Sequence, residues 1–513
     1  LGKAVLVWNE QYSLYKPLKN HLGKLSINES FYVIWAYSNH LQFGNSFPSD
    51  IETIPEFINA KSLPEKKIYQ WELELLLREI IINSQDTERG LKTLRKWNYF
   101  TGAINKIKDI ENELISVNKN NVLKEFFRLA HRQFPWQLNI NLMYFYRYYR
   151  IFNETDIDKI LYNKVGVHYE NLFLMGTSLL GHFQKNFIIK EPFSTNIKGI
   201  TNDEVKKLFD MISIELDDFK KIIQKEYTVD EKFAYNTYIL RLYPIIKNKF
   251  KGDNAYFCPL TTLLYWRFTS GIYYEICREK DFDNPFGHAF QKYVGDVLNK
   301  ANKKMTIYPE EYYGSKKNKK NTVDWILDKK DAALFIECKT KRLIVPAKIE
   351  LNNTELLDKE LEKISDAIAQ VYKTIKDHID KQYPSFPYDE KRKIYPIILT
   401  LEEWYSFPDP ISQEINKKVK EKFNQNGLPL KWLEEMPYSI CGIHEFEEIV
   451  QIMQTVGIKK FMESKFSTPE YASWDLGPFV NSFYKEERKS AIFLFQKEFD
   501  DMLSARGCPV INH

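Results

Sequence analysis

The stretch Thr322–Arg342, TVDWILDKKDAALFIECKTKR, constrains this chain more than any other. Two apolar, β-prone runs, Val323–Leu327 and Ala332–Ile336, flank the charged segment Asp328–Asp331. Hydrophobic runs of that length about a polar turn predict a β-hairpin with buried strands. Asp324 interrupts the first strand, and Glu337-Cys338-Lys339 extends the second. Alternate side chains of a strand share a face, so Glu337 and Lys339 point one way and Cys338 the other, into the core. Pairing about the turn sets Asp324 across from the end of the second strand. Two carboxylates and an ammonium then converge. Carboxylates held that close need a cation between them, and hard oxygen ligands suit Mg²⁺.

The surroundings extend the pattern. Pro285–Val294 has helical character, and Thr306–Tyr313 reads as a strand preceding the hairpin. A long helical stretch, Glu355–Ile379, follows it, then an apolar strand Tyr395–Leu401 and a further candidate, Tyr438–Ile443. Asp324 followed by Glu337-x-Lys339 in this setting resembles the signature of the PD-(D/E)XK nuclease superfamily. The order helix, three strands, helix, strand, strand is similar to that family's core, and the resemblance covers Asp283–Glu448. It implies a restriction-endonuclease-like α/β core, a central mixed sheet flanked by helices, fused to a large mainly α-helical N-terminal region.

The resemblance also implies roles. Asp324 and Glu337, with the carbonyl of Cys338, would hold Mg²⁺, for which Mn²⁺ would substitute. Lys339 would position the attacking water or stabilise developing charge, and Gln291 and Gln370 would hold waters or the phosphate. The sequence departs from the family at three points. Val323 stands where proline is common, and Gln291 where many members carry a metal-binding glutamate. Thr374 stands where one exonuclease-like branch has tyrosine. An amide is a poorer Mg²⁺ ligand but can hold a metal-bound water.

Length points to more than one domain, since 513 residues exceed a usual single core. The expected division is a mainly helical sensor, partner-binding or nucleic-acid-binding region (1–280), the nuclease-like core (281–450) and C-terminal helices packing on it (451–513). Apolar content of 44% with 15% aromatics supports a well-packed fold. A net charge of only +4 excludes a general polyanion binder, so nucleic-acid contacts must come from local clusters. The basic loop Lys316, Lys317, Lys319, Lys320 just before Asp324, with Lys341 and Arg342 after Lys339, is the candidate cluster for gripping a phosphate backbone. A solvated turn is the alternative. Glu310 and Glu311 read as solvated acids, with extra metal ligation as the other option.

The N-terminal region predicts helices over Ser30–Phe43, Tyr69–Ile82, Leu91–Val117 and Glu204–Gln224, the last opened by Thr201–Glu204. Thr228–Glu231 fits a capping box for another. Ala255–Cys277 reads as an aromatic-rich helix or helix pair, with Asp283 or Asn284 capping the helix that carries Gln291. The arginines and aromatics interleaved over Ala130–Gln137 and Tyr144–Arg150 allow two readings, base stacking or a packed helical corner, and the corner is favoured. Beyond the core, Ile449–Phe466 and Val480–Leu503 read as helices with a turn at Trp474–Pro478.

The five cysteines, Cys258, Cys277, Cys338, Cys441 and Cys508, are scattered without a CxxC pair, which points to a reducing cytoplasm. No apolar run reaches the roughly eighteen residues of a spanning helix, so no membrane partner is expected, and the opening residues do not resemble a secretory signal. DNA is the default substrate by family analogy. RNA cleavage, and a catalytically inactive scaffold or nucleic-acid-binding subunit, are the alternatives. The layout resembles bacterial antiphage and restriction-type nucleases, which implies a separate ATPase or sensor partner, because no Walker A loop is present. Cutting both strands of a duplex would further imply a homodimer.

Overall fold

The computed structural model describes residues 2–116, 122–138, 140, 142–191, 195, 197–340, 354–405 and 409–506. Its strands are β1 (Ile188–Lys190), β2 (Ser213–Glu215), β3 (Ile245–Phe250), β4 (Asp253–Phe257), β5 (Thr306–Pro309), β6 (Tyr312–Ser315), β7 (Asn318–Asn321), β8 (Trp325–Lys329), β9 (Ala332–Lys339), β10 (Lys393–Thr400) and β11 (Ser439–Gly442). They form a four-stranded sheet of order β1-β4-β3-β2, a five-stranded sheet of order β11-β10-β9-β8-β5 and the separate hairpin β6-β7. The five-stranded sheet is mixed: β5, β8 and β9 run antiparallel to one another in turn, whereas β9, β10 and β11 run parallel. The fold is mixed α/β, with helices against its sheets.

Strand β9 explains how this sheet is built in. Ala332 to Ile336 are all buried, as expected of a strand covered on both faces. Leu334 and Ile336 join Leu327, Ile397 and Leu399 in a core shared with helices Asp283–Ala301 and Ile443–Val456. Ala333 and Phe335 join Ile326 and Ile398 in a second core under helices Thr354–Ile379 and Asp409–Gln425. The first core continues without a break into the N-terminal half, where Phe145, Phe152 and Phe173 belong to the same cluster as Phe286. A third core gathers helices Ile27–Phe43, Gln70–Asn83 and Trp97–Ser116.

Several elements differ from the sequence-based expectations. The helix expected over Glu204–Gln224 opens as anticipated: Thr201 Oγ1 accepts the Glu204 N–H at 3.2 Å, and Glu204 Oε2 accepts the Thr201 N–H at 2.9 Å. It stops at Ile212, and β2 pairs with β3 before a new helix runs over Leu216–Glu226. Tertiary pairing overrides the helical pattern there. At Thr228–Glu231 no helix forms, because the Asp230 carboxylate accepts the Lys232 N–H and the Thr228 hydroxyl, closing a turn of its own. Within Ala255–Cys277, the first residues belong to β4, and a helix pair covers Thr261–Phe268 and Tyr273–Ile276.

Leu91–Val117 is helical from Trp97 to Ser116. The strand expected over Thr306–Tyr313 is two: β5 stays in the sheet, and β6 leaves it to pair with β7. Asp283 lies inside the first turn of its helix, not at the cap. Helices Ile443–Val456 and Ile458–Phe466 are separated at Gly457, whose φ of 88° few other residues adopt. The last region breaks into Leu476–Phe483, Lys485–Arg488 and Gln496–Ala505. Among the described residues, no helix is long and apolar enough to cross a membrane.

Candidate active site

The register that pairs Trp325 with Ile336 brings Asp324, one residue before β8, to the end of β9. There the Cys338 N–H donates to Asp324 Oδ2 at 2.6 Å. Lys339 Nζ donates to Glu337 Oε1 at 2.8 Å, with side-chain exposures of 30% and 15%. Glu337 and Lys339 continue the Phe335 row, and Cys338 packs against the opposite core. Asp324 thus lies against the end of the strand that carries Glu337 and Lys339.

Burial, and next the Glu337 charge, push Asp324 up to about 7, against the pull of the Cys338 N–H and Lys339. Burial works against the Lys339 ammonium, yet the hydrogen-bonded Glu337 carboxylate and Asp324 outweigh it and hold Lys339 above the ordinary lysine value. The Cys338 thiol is driven well up by burial and by both acids, so it stays protonated and unreactive.

Gln291 reaches the site through a neighbour. Its Nε2 donates to Glu310 Oε2 at 3.0 Å, and Asn321 donates to the other Glu310 oxygen. Glu310 in turn raises Asp324 through its charge. The helix bearing Gln291 is locked to β8 by Trp325, whose Nε1–H donates to the Gln291 carbonyl at 2.9 Å. A Cβ at Gly295 would lie 2.2 Å from the Trp325 ring, so only glycine admits this contact. Glu310 and Glu311 are therefore not simply solvated acids. Glu311 accepts both the Ser385 N–H at 3.2 Å and its hydroxyl at 2.5 Å.

Gln370 is not gathered into the cluster. It is exposed on its helix, in one stripe with Lys363, Asp366 and Lys373, and no hydrogen bond joins it to Asp324, Glu337 or Lys339 among the described residues. The basic run is a hairpin, not a loop. Lys316 and Lys317 form its exposed tip, Lys319 Nζ lies 3.4 Å from the centre of the Tyr312 ring, and Lys320 pairs with Asp377 at 2.7 Å. The charge of Lys320 is thus already engaged. Lys341, Arg342 and Cys508 lie outside the described residues; among the described residues no disulfide joins the other four cysteines.

The arginine–aromatic stretch is a packed corner. Tyr148 is buried, Arg147 pairs with Glu447, Arg150 with Asp296, and Arg132 with Glu111. The guanidinium groups of Arg132 and Arg147 are committed inside the protein, whereas Arg150 keeps 28% side-chain exposure.

The sequence reading missed a second cluster, Glu403, His444 and Glu445, beyond the ends of β10 and β11. Glu403 is far along the chain from the adjacent pair His444 and Glu445, and the parallel pairing of those strands brings it to them. Among the described residues it is the one trio of His, Cys, Asp or Glu whose ligand atoms all lie within 4.8 Å of one another. Asp324, Glu337 and Glu310 do not meet that spacing.

Comparison with family models, curated proteins and solved structures returned no match for this chain.

Proposed function

We propose that this chain is a metal-dependent nuclease that hydrolyses phosphodiester bonds in DNA, built on a restriction-endonuclease-like core of the kind used in antiphage and restriction-type defence. The observation that carries the reading is the placement of Asp324 against the Cys338 N–H, with Glu337 and Lys339 at the end of the same strand. The chain order supports it: helix Asp283–Ala301, the sheet strands β5, β8 and β9, helix Thr354–Ile379, then β10 and β11 follow the order the resemblance implies.

The donor set fits a hard divalent ion. Burial, and next the charge of Glu337, raise Asp324, while the Cys338 N–H on Asp324 and the Lys339 ammonium on Glu337 offset the two acids. Asp324 and Glu337, with the Cys338 carbonyl, would hold Mg²⁺ or Mn²⁺. When bound, such an ion polarises the phosphoryl group and lowers the pKa of a coordinated water.

The protein's own groups do the rest. Lys339, kept cationic by Glu337, is suited to stabilise negative charge developing on the phosphate and unsuited to take up a proton. The Cys338 N–H fixes the Asp324 carboxylate. Gln291 orients Glu310 and so sets the local field.

A cleavage assay on single-stranded DNA, duplex DNA and RNA, with Mg²⁺ and with chelator, tests the reading. Metal-dependent DNA cleavage is expected. Cleavage confined to RNA would replace the substrate, and none on any nucleic acid would overturn the assignment.

A further inference from the structure

Strands β10 and β11 run parallel, and Thr400 pairs with Gly442 at their common end. The chain leaving β10 reaches Glu403 three residues past Thr400, and the chain leaving β11 enters helix Ile443–Val456 with His444 and Glu445 in its first turn. His444 Nδ1 lies 2.8 Å from Glu403 Oε1, and one ligand atom from each of the three residues falls within 4.8 Å of the others.

The polar atoms here are not satisfied by the protein. Glu445 Oε2 is sealed from solvent and has no hydrogen-bond partner. Glu403 Oε1 also lacks a hydrogen bond, since the imidazole approaches closely but out of line. An unpaired buried carboxylate oxygen is costly, and native proteins rarely leave one without a partner.

The backbone makes room for these carboxylates. A Cβ at Gly442 would sit 1.3 Å from Glu403 Oε1, and one at Gly477 would sit 1.5 Å from Glu445 Oε1. Asp475, 8% exposed and preceding helix Leu476–Phe483, adds a third carboxylate whose field reaches both glutamates. The nearby Arg147 gives Nε and Nη2 to Glu447, at 2.6 and 2.8 Å. His444 and Glu403 keep 22% and 11% side-chain exposure, which leaves an approach from solvent.

We propose that Glu403, His444 and Glu445 form a divalent transition-metal site separate from the Asp324–Glu337 pair. One imidazole nitrogen and two carboxylates suit Zn²⁺ better than Mg²⁺, which prefers an all-oxygen octahedral shell. An ion there ties the loop after β10 to the start of the helix after β11. Thr400 also pairs with Lys339, and the Leu401 N–H donates to the Lys339 carbonyl at 3.2 Å. The site therefore braces the strand ends at which Lys339 sits.

The test uses the full chain, tag-free and stripped with chelator. Zn²⁺ and Mg²⁺ are titrated by calorimetry, and thermal unfolding is followed with and without Zn²⁺, for wild type, Asp324→Asn, His444→Ala and Glu445→Gln. Wild type and Asp324→Asn are expected to bind one equivalent of Zn²⁺ at this site and to unfold at a higher temperature with it. His444→Ala and Glu445→Gln should bind it about tenfold more weakly or worse, since even outer-shell changes cost that much. Their zinc-induced shift should vanish. Should Glu445→Gln fail to fold, Glu403→Gln takes its place. Zinc titrations and melting shifts unchanged in the His444 and Glu445 variants, or preference for Mg²⁺ over Zn²⁺ in Asp324→Asn, would overturn the site. Loss of cleavage in Asp324→Asn bears only on the nuclease reading, so the two fail separately.

Discussion

Arg147 and Glu447 form a buried two-point ion pair, Nε to Oε1 at 2.6 Å and Nη2 to Oε2 at 2.8 Å, with both side chains 2% exposed. Tyr293 donates its hydroxyl to Glu447 Oε1 at 2.7 Å. The pair joins helix Leu142–Phe152, from the N-terminal half, to helix Ile443–Val456 behind the five-stranded sheet. Removing one partner strands a buried charge. Arg147→Ala is expected to lower stability by about 3–5 kcal/mol. Replacing both residues by apolar ones of similar volume should recover much of that loss. Urea denaturation measures both, and an Arg147→Ala protein as stable as wild type would contradict the packing described.

A pH dependence should come from His378. It is 1% exposed, stacked on Phe386 at 5.0 Å and beside Phe335 and Tyr383, and its Nδ1 has no hydrogen-bond partner. Burial, with the charge of Arg392 added, pushes it down to about 4. The unfolded chain therefore binds a proton that the folded protein refuses, and stability falls as pH drops from about 6.5 towards 4. The shift corresponds to roughly 3 kcal/mol across that window. His378→Phe should flatten this part of the stability–pH curve. An unchanged slope in the variant would show that other groups carry it.

Gly295→Ala tests how the helix of Gln291 is docked. The added methyl would overlap the Trp325 ring and force it away from the Gln291 carbonyl. A loss of about 1–3 kcal/mol is expected, as for overpacking elsewhere, with weakened cleavage because Trp325 adjoins Asp324. Chemical denaturation and the nuclease assay check it together.

The parts of this architecture written in local patterns were legible. The continuous apolar run of β9 and the turn before it announced the hairpin, and period-two alternation placed Glu337 and Lys339 on one face. Helix Thr354–Ile379 was plain from its spacing. The four-stranded sheet was not, because β1 and β2 are three residues each and owe their strand state to pairing with β4 and β3. Gln370 was misplaced because a pattern fixes the period of a helix and not which polar residue of its outer stripe meets a site. Glu310 was undervalued because its partners, Gln291 and Asn321, come from elements on either side of it in the chain. The cluster at Glu403 had no local signal.

The β6-β7 hairpin predicts a divided response to lysine removal. Lys316 and Lys317 are exposed at the tip, whereas Lys320 is held by Asp377. Lys316→Ala with Lys317→Ala should weaken DNA binding and reduce the slope of log affinity against log salt by about 1–2. Lys320→Ala should act mainly on stability. A salt titration of binding distinguishes them, and an unchanged slope in the double variant would remove the tip from the interface.

The central claim is tested most directly by nicking of supercoiled DNA in Mg²⁺ by purified wild type, Asp324→Ala and Lys339→Ala, each shown to be folded. The account predicts cleavage by wild type that chelator abolishes, and none by either variant. Full cleavage by a folded Asp324→Ala or Lys339→Ala protein would contradict it.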